Sequence, residues 1–233
     1  AGMASAASFP LPKGTLKWEG QASVSKRRLS HALSALLQHQ RKWDALGPES
    51  QGAFQALVNA ATERAYLTGE HMDTFAEHPV LVARMAEESA AHCAHLLSRL
   101  RGLLSRLADA AEGMRGAAEN ASAEVASSSG LLGAEWAEAT PLFHTSSPAR
   151  LCALAHEVAA AYTRELELRT ALVHDLGRTL LRERAPVPER LTVYLATWIM
   201  QPASATPVAE QAETLMGSCE DCTRALSQEL QMT

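Results

Sequence analysis

Isoleucine is all but missing from this chain, with Ile199 the single example, and Val and Ile together supply only 11 of 233 residues. Ala (44) and Leu (32) supply 76. β-branched residues favour strands, whereas Ala and Leu are strong helix formers, so the scarcity excludes a sheet-based fold and predicts an all-α protein. Four cysteines are too few for a disulfide scaffold. Cys93 and Cys152 fall at apolar helical positions and are expected to be reduced thiols. No apolar run approaches the ~18 to 20 residues that cross a bilayer, and no apolar segment follows a basic start, so a soluble, intracellular protein without a membrane partner is expected. A basic excess is lacking too. Lys+Arg number 21 against 26 Asp+Glu, for a net charge of -5 and a pI near 6.0, and Lys26-Arg27-Arg28 is the one basic cluster. That balance argues against a dedicated nucleic-acid binder, which needs positive charge to neutralise phosphates. Missing as well are a GxxxxGK[ST] loop, a GxGxxG turn, a GxSxG elbow and an HExxH helix, so no motif supports an enzyme.

What is present is 47% apolar and 20% charged residues, enough for a sizeable core. Residues 1–21, with Pro10, Pro12, Gly14 and Gly20, read as a flexible leader. Leu29, Leu33, Leu36, Gln40 and Trp43 give a helical stripe, and Gly47-Pro48 is a strong stop signal that separates it from a second helix through Phe54, Leu57, Val58, Ala61 and Ala65. Beyond Pro79 the positions Val82, Ala86, Ser89, Cys93, Leu96, Leu100, Leu103, Leu107, Ala110, Met114, Ala117 and Ala121 alternate steps of four and three without a break. This predicts a helix of roughly 40 residues, or ~60 Å, whose stripe must be covered by another helix of this chain, of a second copy or of a different protein. Leu81, Met85, Leu97 and Leu104 widen the stripe beyond a two-stranded seam and favour a bundle.

The remainder of residues 22–126 belongs to these N-terminal helices, and residues 127–145, with Ser127-Ser128-Ser129-Gly130, read as a linker. Ser147-Pro148 caps the next helix, which carries Leu151, Leu154, Val158, Tyr162, Leu166, Val173, Leu176 and Leu180 and can lie antiparallel to the first rod. A short helix with Leu191, Tyr194, Leu195, Trp198 and Ile199 stops at Gln201-Pro202, completing a helical hairpin over residues 146–202. Residues 203–233 read as a polar C-terminal helix. The expected architecture is an elongated bundle of long amphipathic, coiled-coil-like helices with a short C-terminal helical region.

Few side chains offer chemistry. His92, Cys93 and His95 lie within one turn, but only the two histidines share a face, so packing or surface roles are expected. Cys219 and Cys222 have CxxC spacing on a polar helix without a second pair, and read as ordinary thiols. Glu165 and Arg169, four residues apart, read as a solvated ion pair worth a few tenths of a kcal/mol. Ser147-Pro148-Ala149-Arg150 matches the Ser-Pro-x-basic pattern of proline-directed kinases and makes Ser147 a candidate phosphosite as well as a helix cap; Arg27-Arg28-Leu29-Ser30 fits a basophilic kinase.

Three blocks stand out together: Pro141-Leu142-Phe143-His144-Thr145, the stretch Tyr162 to Leu168, and Tyr194-Leu195-Ala196-Thr197-Trp198-Ile199-Met200-Gln201-Pro202. In order and spacing they resemble the cyclin-dependent kinase 2-interacting protein family, and Lys42-Trp43-Asp44-Ala45-Leu46 resembles a segment at the end of that family's first helix. The resemblance implies a non-enzymatic nuclear adaptor, with a cytoplasmic pool allowed, that supports DNA replication, checkpoint signalling and genome maintenance. It implies as partners cyclin-dependent kinase 2 and its cyclins, a replication-initiation kinase and the ATR-interacting checkpoint protein. It further implies a complex with spermatogenesis-associated AAA-type ATPases and a small helical companion subunit, acting in replisome proteostasis and 60S ribosome maturation. No cofactor is implied. The residues expected to carry motif or partner contacts are Trp43, Leu96, Leu100, Leu103, Leu107, Pro141, Leu142, Phe143, His144, Tyr162, Leu166, Tyr194, Trp198, Gln201 and Pro202. Phe143, Tyr194 and Trp198 are expected in a bundle-end core, where Pro141 to Thr145 packs on the Leu191 to Ile199 helix, in preference to an exposed anchor. A reading of a different class is a homodimeric coiled-coil scaffold with no ATPase partner.

Overall fold

The four-three stripe runs down a helix longer than its spacing predicts. In the computed structural model, which describes residues 15–67, 77–140, 146–181, 188–203 and 217, helix α2 spans Pro79–Leu132 with 54 residues. Pro79 sits at its first turn, where an amide hydrogen has no partner in any case. Every stripe position from Cys93 to Ala121 is buried, and the same rhythm continues through Val125 and Ser128. A second row, Leu97, Leu104, Ala111 and Ala118, is buried beside it. Two adjacent buried rows need two covering helices, and the chain provides them.

The first cover is helix α1, Thr15–Leu67, a single helix of 53 residues with Pro48 inside it. The stop expected at Gly47-Pro48 is therefore overruled, and the two expected N-terminal helices are one. Proline removes the hydrogen bond to the Asp44 carbonyl and strains the preceding turn, at about 3 kcal/mol. Trp43, Leu46, Ala53 and Phe54, on either side of it, are all buried, and fully burying each large apolar side chain contributes about 1.5 to 3 kcal/mol. Continuity of the buried face outweighs the local breaker. Pro48 itself is exposed, and the Ser50 hydroxyl donates to the Gly47 carbonyl at 2.9 Å. Residues 15–21, read as leader, likewise belong to α1.

α1 and α2 are antiparallel. Ser25 meets Ser128 at 2.6 Å, Arg28 pairs with Glu124 at 3.5 Å, and Glu49 reaches Arg99 and Arg106, each at 3.4 Å. At Gly133, whose φ of +94° suits a residue without Cβ, the chain leaves α2 for the short helix α3, Ala134–Glu138, which buries Trp136 and Ala137. The expected linker thus begins with the last turns of α2 and carries a helical turn of its own.

Helix α4, Pro148–Leu181, packs along α2 and meets Leu97 of its second row at Gly177. Ser122 and His156 are hydrogen-bonded at 2.7 Å near one end, and Gly177 faces Leu97 near the other, so α4 is antiparallel to α2 and parallel to α1. Helix α5, Pro188–Met200, turns back along α4 and lies against α1, burying Leu191 and Trp198. The described residues therefore form a three-helix bundle whose Trp43 to Leu67 half is joined by a fourth, shorter helix. The all-α expectation holds. Of the three covers that the α2 stripe allowed, the structure shows other helices of this chain, α1 and α4, along the stretch buried from Cys93 to Ser128, with α4 antiparallel as expected. Pro141 to Thr145, the Cys219–Cys222 pair and the C-terminal polar helix lie outside the described residues.

Candidate functional site

Trp43, from the middle of α1, and Tyr162, from α4, meet edge to face with ring centroids 5.2 Å apart. Seven and eleven residues further along α1, Ser50 and Phe54 point toward the same seam. Trp198 of α5 lies flat on Phe54, with centroids 4.2 Å apart and planes 9° from parallel. Between these rings runs a charge. The Arg169 guanidinium carbon is 5.5 Å from the Trp43 ring and 4.9 Å from the Trp198 ring, within cation–π range of both.

Arg169 is not a solvated residue. Its side chain is 1% exposed and that of Glu165 0%, and Arg169 Nε donates to Glu165 Oε1 at 2.9 Å. Arg169 Nη1 reaches Ser50 Oγ at 3.5 Å. The second carboxylate oxygen, Glu165 Oε2, accepts the Ala203 amide at 3.3 Å, tying the end of α5 to α4. The pair expected on a solvated face is thus the floor of an aromatic socket at the junction of α1, α4 and α5. An ion pair so placed is held by hydrogen bonds on both partners, because an unmatched buried charge is far more costly than an exposed one.

A second polar clasp lies on the rim. Arg190 donates to Asp175 Oδ2 at 2.5 Å and to the Tyr194 hydroxyl, and Tyr194 donates to the same carboxylate oxygen. The Arg190 guanidinium also lies 5.4 Å from the Tyr194 ring. Burial, reinforced by donation to Asp175, raises the Tyr194 phenol above its ordinary value, and Arg190 works against that rise. Burial and then the nearby Asp44 charge push Tyr162 up to about 12, opposed by its hydrogen bond with Gln40.

Of the residues expected to carry contacts, Trp43, Tyr162 and Trp198 come together in the socket. Tyr194 and Leu166 pack half-buried against its core, Gln201 is half-buried with φ +45°, and Pro202 is exposed beside them. Leu96, Leu100, Leu103 and Leu107 are buried in the α2 seam, where they hold the bundle together. Pro141, Leu142, Phe143 and His144 lie outside the described residues. Trp198 is 1% exposed; it fills a core as expected, although its neighbours are Phe54 and Arg169. Ser147 Oγ accepts the Arg150 amide at 3.4 Å, as a cap does, while Ser30 is buried. His92 and His95 are exposed on either side of the buried Cys93. Among the described residues no group of three potential ligands could hold a metal.

Glu165 and Arg169 carried a signal that side-chain type obscured. Leu151, Ala155, Val158, Tyr162, Glu165, Arg169, Leu172 and Leu176 keep the four-three rhythm of a buried stripe. The two charged residues occupy core positions in that register, and six of the eight positions are apolar or aromatic.

Neither cysteine among the described residues is placed as a nucleophile. Cys93 and Cys152 are buried, and burial raises both thiols, that of Cys152 to about 11, away from the thiolate a reactive cysteine needs. The arrangement instead presents a helical body with apolar side chains left outside, among them Val80, Tyr66, Val193 and Met200. No helix among the described residues is long and apolar enough to cross a membrane. Compared with known proteins, the chain matches no family model and no curated protein sequence.

Proposed function

We propose that this chain is a non-enzymatic helical adaptor of the cyclin-dependent kinase 2-interacting type. In this reading it joins spermatogenesis-associated AAA-type ATPases and a small helical companion, and serves replisome proteostasis, 60S ribosome maturation, DNA replication and checkpoint signalling from the nucleus. Its contacts with cyclin-dependent kinase 2, cyclins, a replication-initiation kinase and the ATR-interacting checkpoint protein belong to the same proposal. The observation that carries it is the meeting of the Lys42–Leu46 segment, the Tyr162–Leu168 stretch and the Tyr194–Pro202 block around one ion pair. These segments are distant in sequence, yet Trp43, Tyr162 and Trp198 gather around Arg169, while α5 is held by Phe54, Arg169 and Asp175 from outside the blocks as well as by Glu165 from within them.

Because the α2 seam is covered within the chain, partner contacts in this reading fall on outer faces of the bundle. A homodimeric scaffold, the alternative reading, would likewise join through outer faces. The test is reconstitution of the purified full chain with the AAA-type ATPases and the helical companion, read by sedimentation. Co-sedimentation in a fixed ratio supports the adaptor. A chain that sediments alone in their presence, or only as a homodimer, refutes it.

A further inference from the structure

α5 is fastened to the bundle unlike the three long helices. It contributes two buried side chains, Leu191 and Trp198, with Tyr194 and Leu195 half-buried, whereas α2 alone is buried at every stripe position from Cys93 to Ser128. Its rim clasp is open to water, since the Arg190 and Asp175 side chains are 54% and 39% exposed. Exposed pairs of this kind exchange readily for hydration.

The socket beneath α5 is suited to being uncovered. Its floor is the Glu165–Arg169 pair, and charged groups regain hydration when water reaches them, whereas an apolar floor would only lose by exposure. Trp198 Nε1 is buried with no acceptor among the described residues, so release restores a hydrogen bond to the indole that docking withholds. Gln201, where α5 meets Pro202, has φ +45°, a left-handed conformation that favours glycine and is unfavourable for a side chain such as glutamine. On the outer side, Val193 and Met200 are 61% and 70% exposed, and no described element holds α5 in place from there.

We propose that α5 is a strap that releases and re-docks as a unit while α1, α2 and α4 stay folded, baring Trp43, Phe54 and the Glu165–Arg169 pair. Trp198 is the plug of this device and Tyr194 its clasp. The device is a property of the bundle and stands apart from the identity of any partner.

Native-state hydrogen exchange on the full chain, in increasing sub-denaturing guanidinium, tests it. Amides of residues 192–200 are expected to open at least about tenfold more often than those of residues 97–121, with a weaker dependence on denaturant, as local opening exposes less surface than global unfolding. In Tyr194→Phe, which keeps the ring and removes the clasp hydroxyl, opening of α5 rises about fivefold, the size expected for one hydrogen bond, while α2 exchange is unchanged. Equal opening and equal denaturant dependence for α5 and α2 would overturn the proposal. So would an equal effect of Tyr194→Phe on both helices, since it would mean that α5 leaves only when the whole bundle unfolds.

Discussion

Replacing Arg169 by Met separates two views of the Glu165–Arg169 pair that differ tenfold in energy. On a solvated helix face an i, i+4 pair contributes about 0.3 to 0.5 kcal/mol, and its loss barely moves an unfolding curve. Here both side chains are at most 1% exposed. Removing Arg169 leaves the buried Glu165 carboxylate with the Ala203 amide but without its cation, and breaking a buried pair in this way costs about 3 to 5 kcal/mol. Arg169→Met keeps the length and apolar volume of the stem, which limits any cavity contribution. The double variant Glu165→Leu/Arg169→Met removes the stranded charge and is expected within about 1 to 2 kcal/mol of the parent, or above it, as apolar replacements of buried pairs often are. Guanidinium unfolding followed by far-UV circular dichroism gives both values and, through the double-mutant cycle, the coupling between the two sites. A single substitution costing under about 1 kcal/mol, or a double variant no better than the single one, refutes the buried-pair account.

Three further outcomes follow from other parts of the bundle. A methyl added at Gly113 would lie 2.2 Å from His39 Cε1 and Nδ1, whereas one at Gly116 meets nothing within 4 Å; Gly116→Ala should therefore raise stability by up to ~1 kcal/mol and Gly113→Ala lower it by about 1 to 3 kcal/mol, with His39→Ala relieving the second loss in thermal melts. Burial first, and Lys42 second, hold the His39 imidazole below its ordinary 6.5; the neutral ring is thus the form the fold favours, its contribution is present above pH 6.5 and is lost as pH falls through the depressed value, and a pH series of unfolding midpoints should lose that slope in His39→Gln. The raised thiols of Cys93 and Cys152 should leave both unreactive toward a disulfide reagent at pH 8 in the native protein, both reacting promptly once it is unfolded.

The helices were legible because a stripe at helical spacing depends on the sequence alone. The α2 register from Val82 to Ala121, the helical hairpin over residues 146–202, and the Ser147 cap all rest on such local patterns. Pro48 misled because its penalty is local whereas the gain that overrides it, the burial of Trp43, Leu46, Ala53 and Phe54, exists only once α2, α4 and α5 are in place. Glu165 and Arg169 misled in the opposite sense, since charge suggested water while register put them in the core. The antiparallel return of α4 along α2 was within reach, but that α1 covers most of the same stripe was not, because a periodic apolar row carries no address. The socket was half visible: Trp43, Tyr162 and Trp198 were singled out, while Ser50 and Phe54, its other walls, lay on a segment that had been separated from Trp43 by an expected break.

The close approach of His39 to Gly113 also fixes how α1 and α2 are phased. Repeating Ala and Leu at seven-residue intervals makes neighbouring alignments of two such rods nearly equivalent, so a sliding error of one repeat would leave most of the greasy surface matched. Sliding by seven residues brings either Arg106 or Asn120 against the imidazole, each with a side chain where only a hydrogen fits. The same slip parts Ser25 from Ser128 and sets its hydroxyl against Ala121 in one direction, or beyond the end of α2 at Leu132 in the other. One glycine notch and one hydroxyl pair thus act as a key that lets an otherwise repetitive bundle assemble in a single alignment.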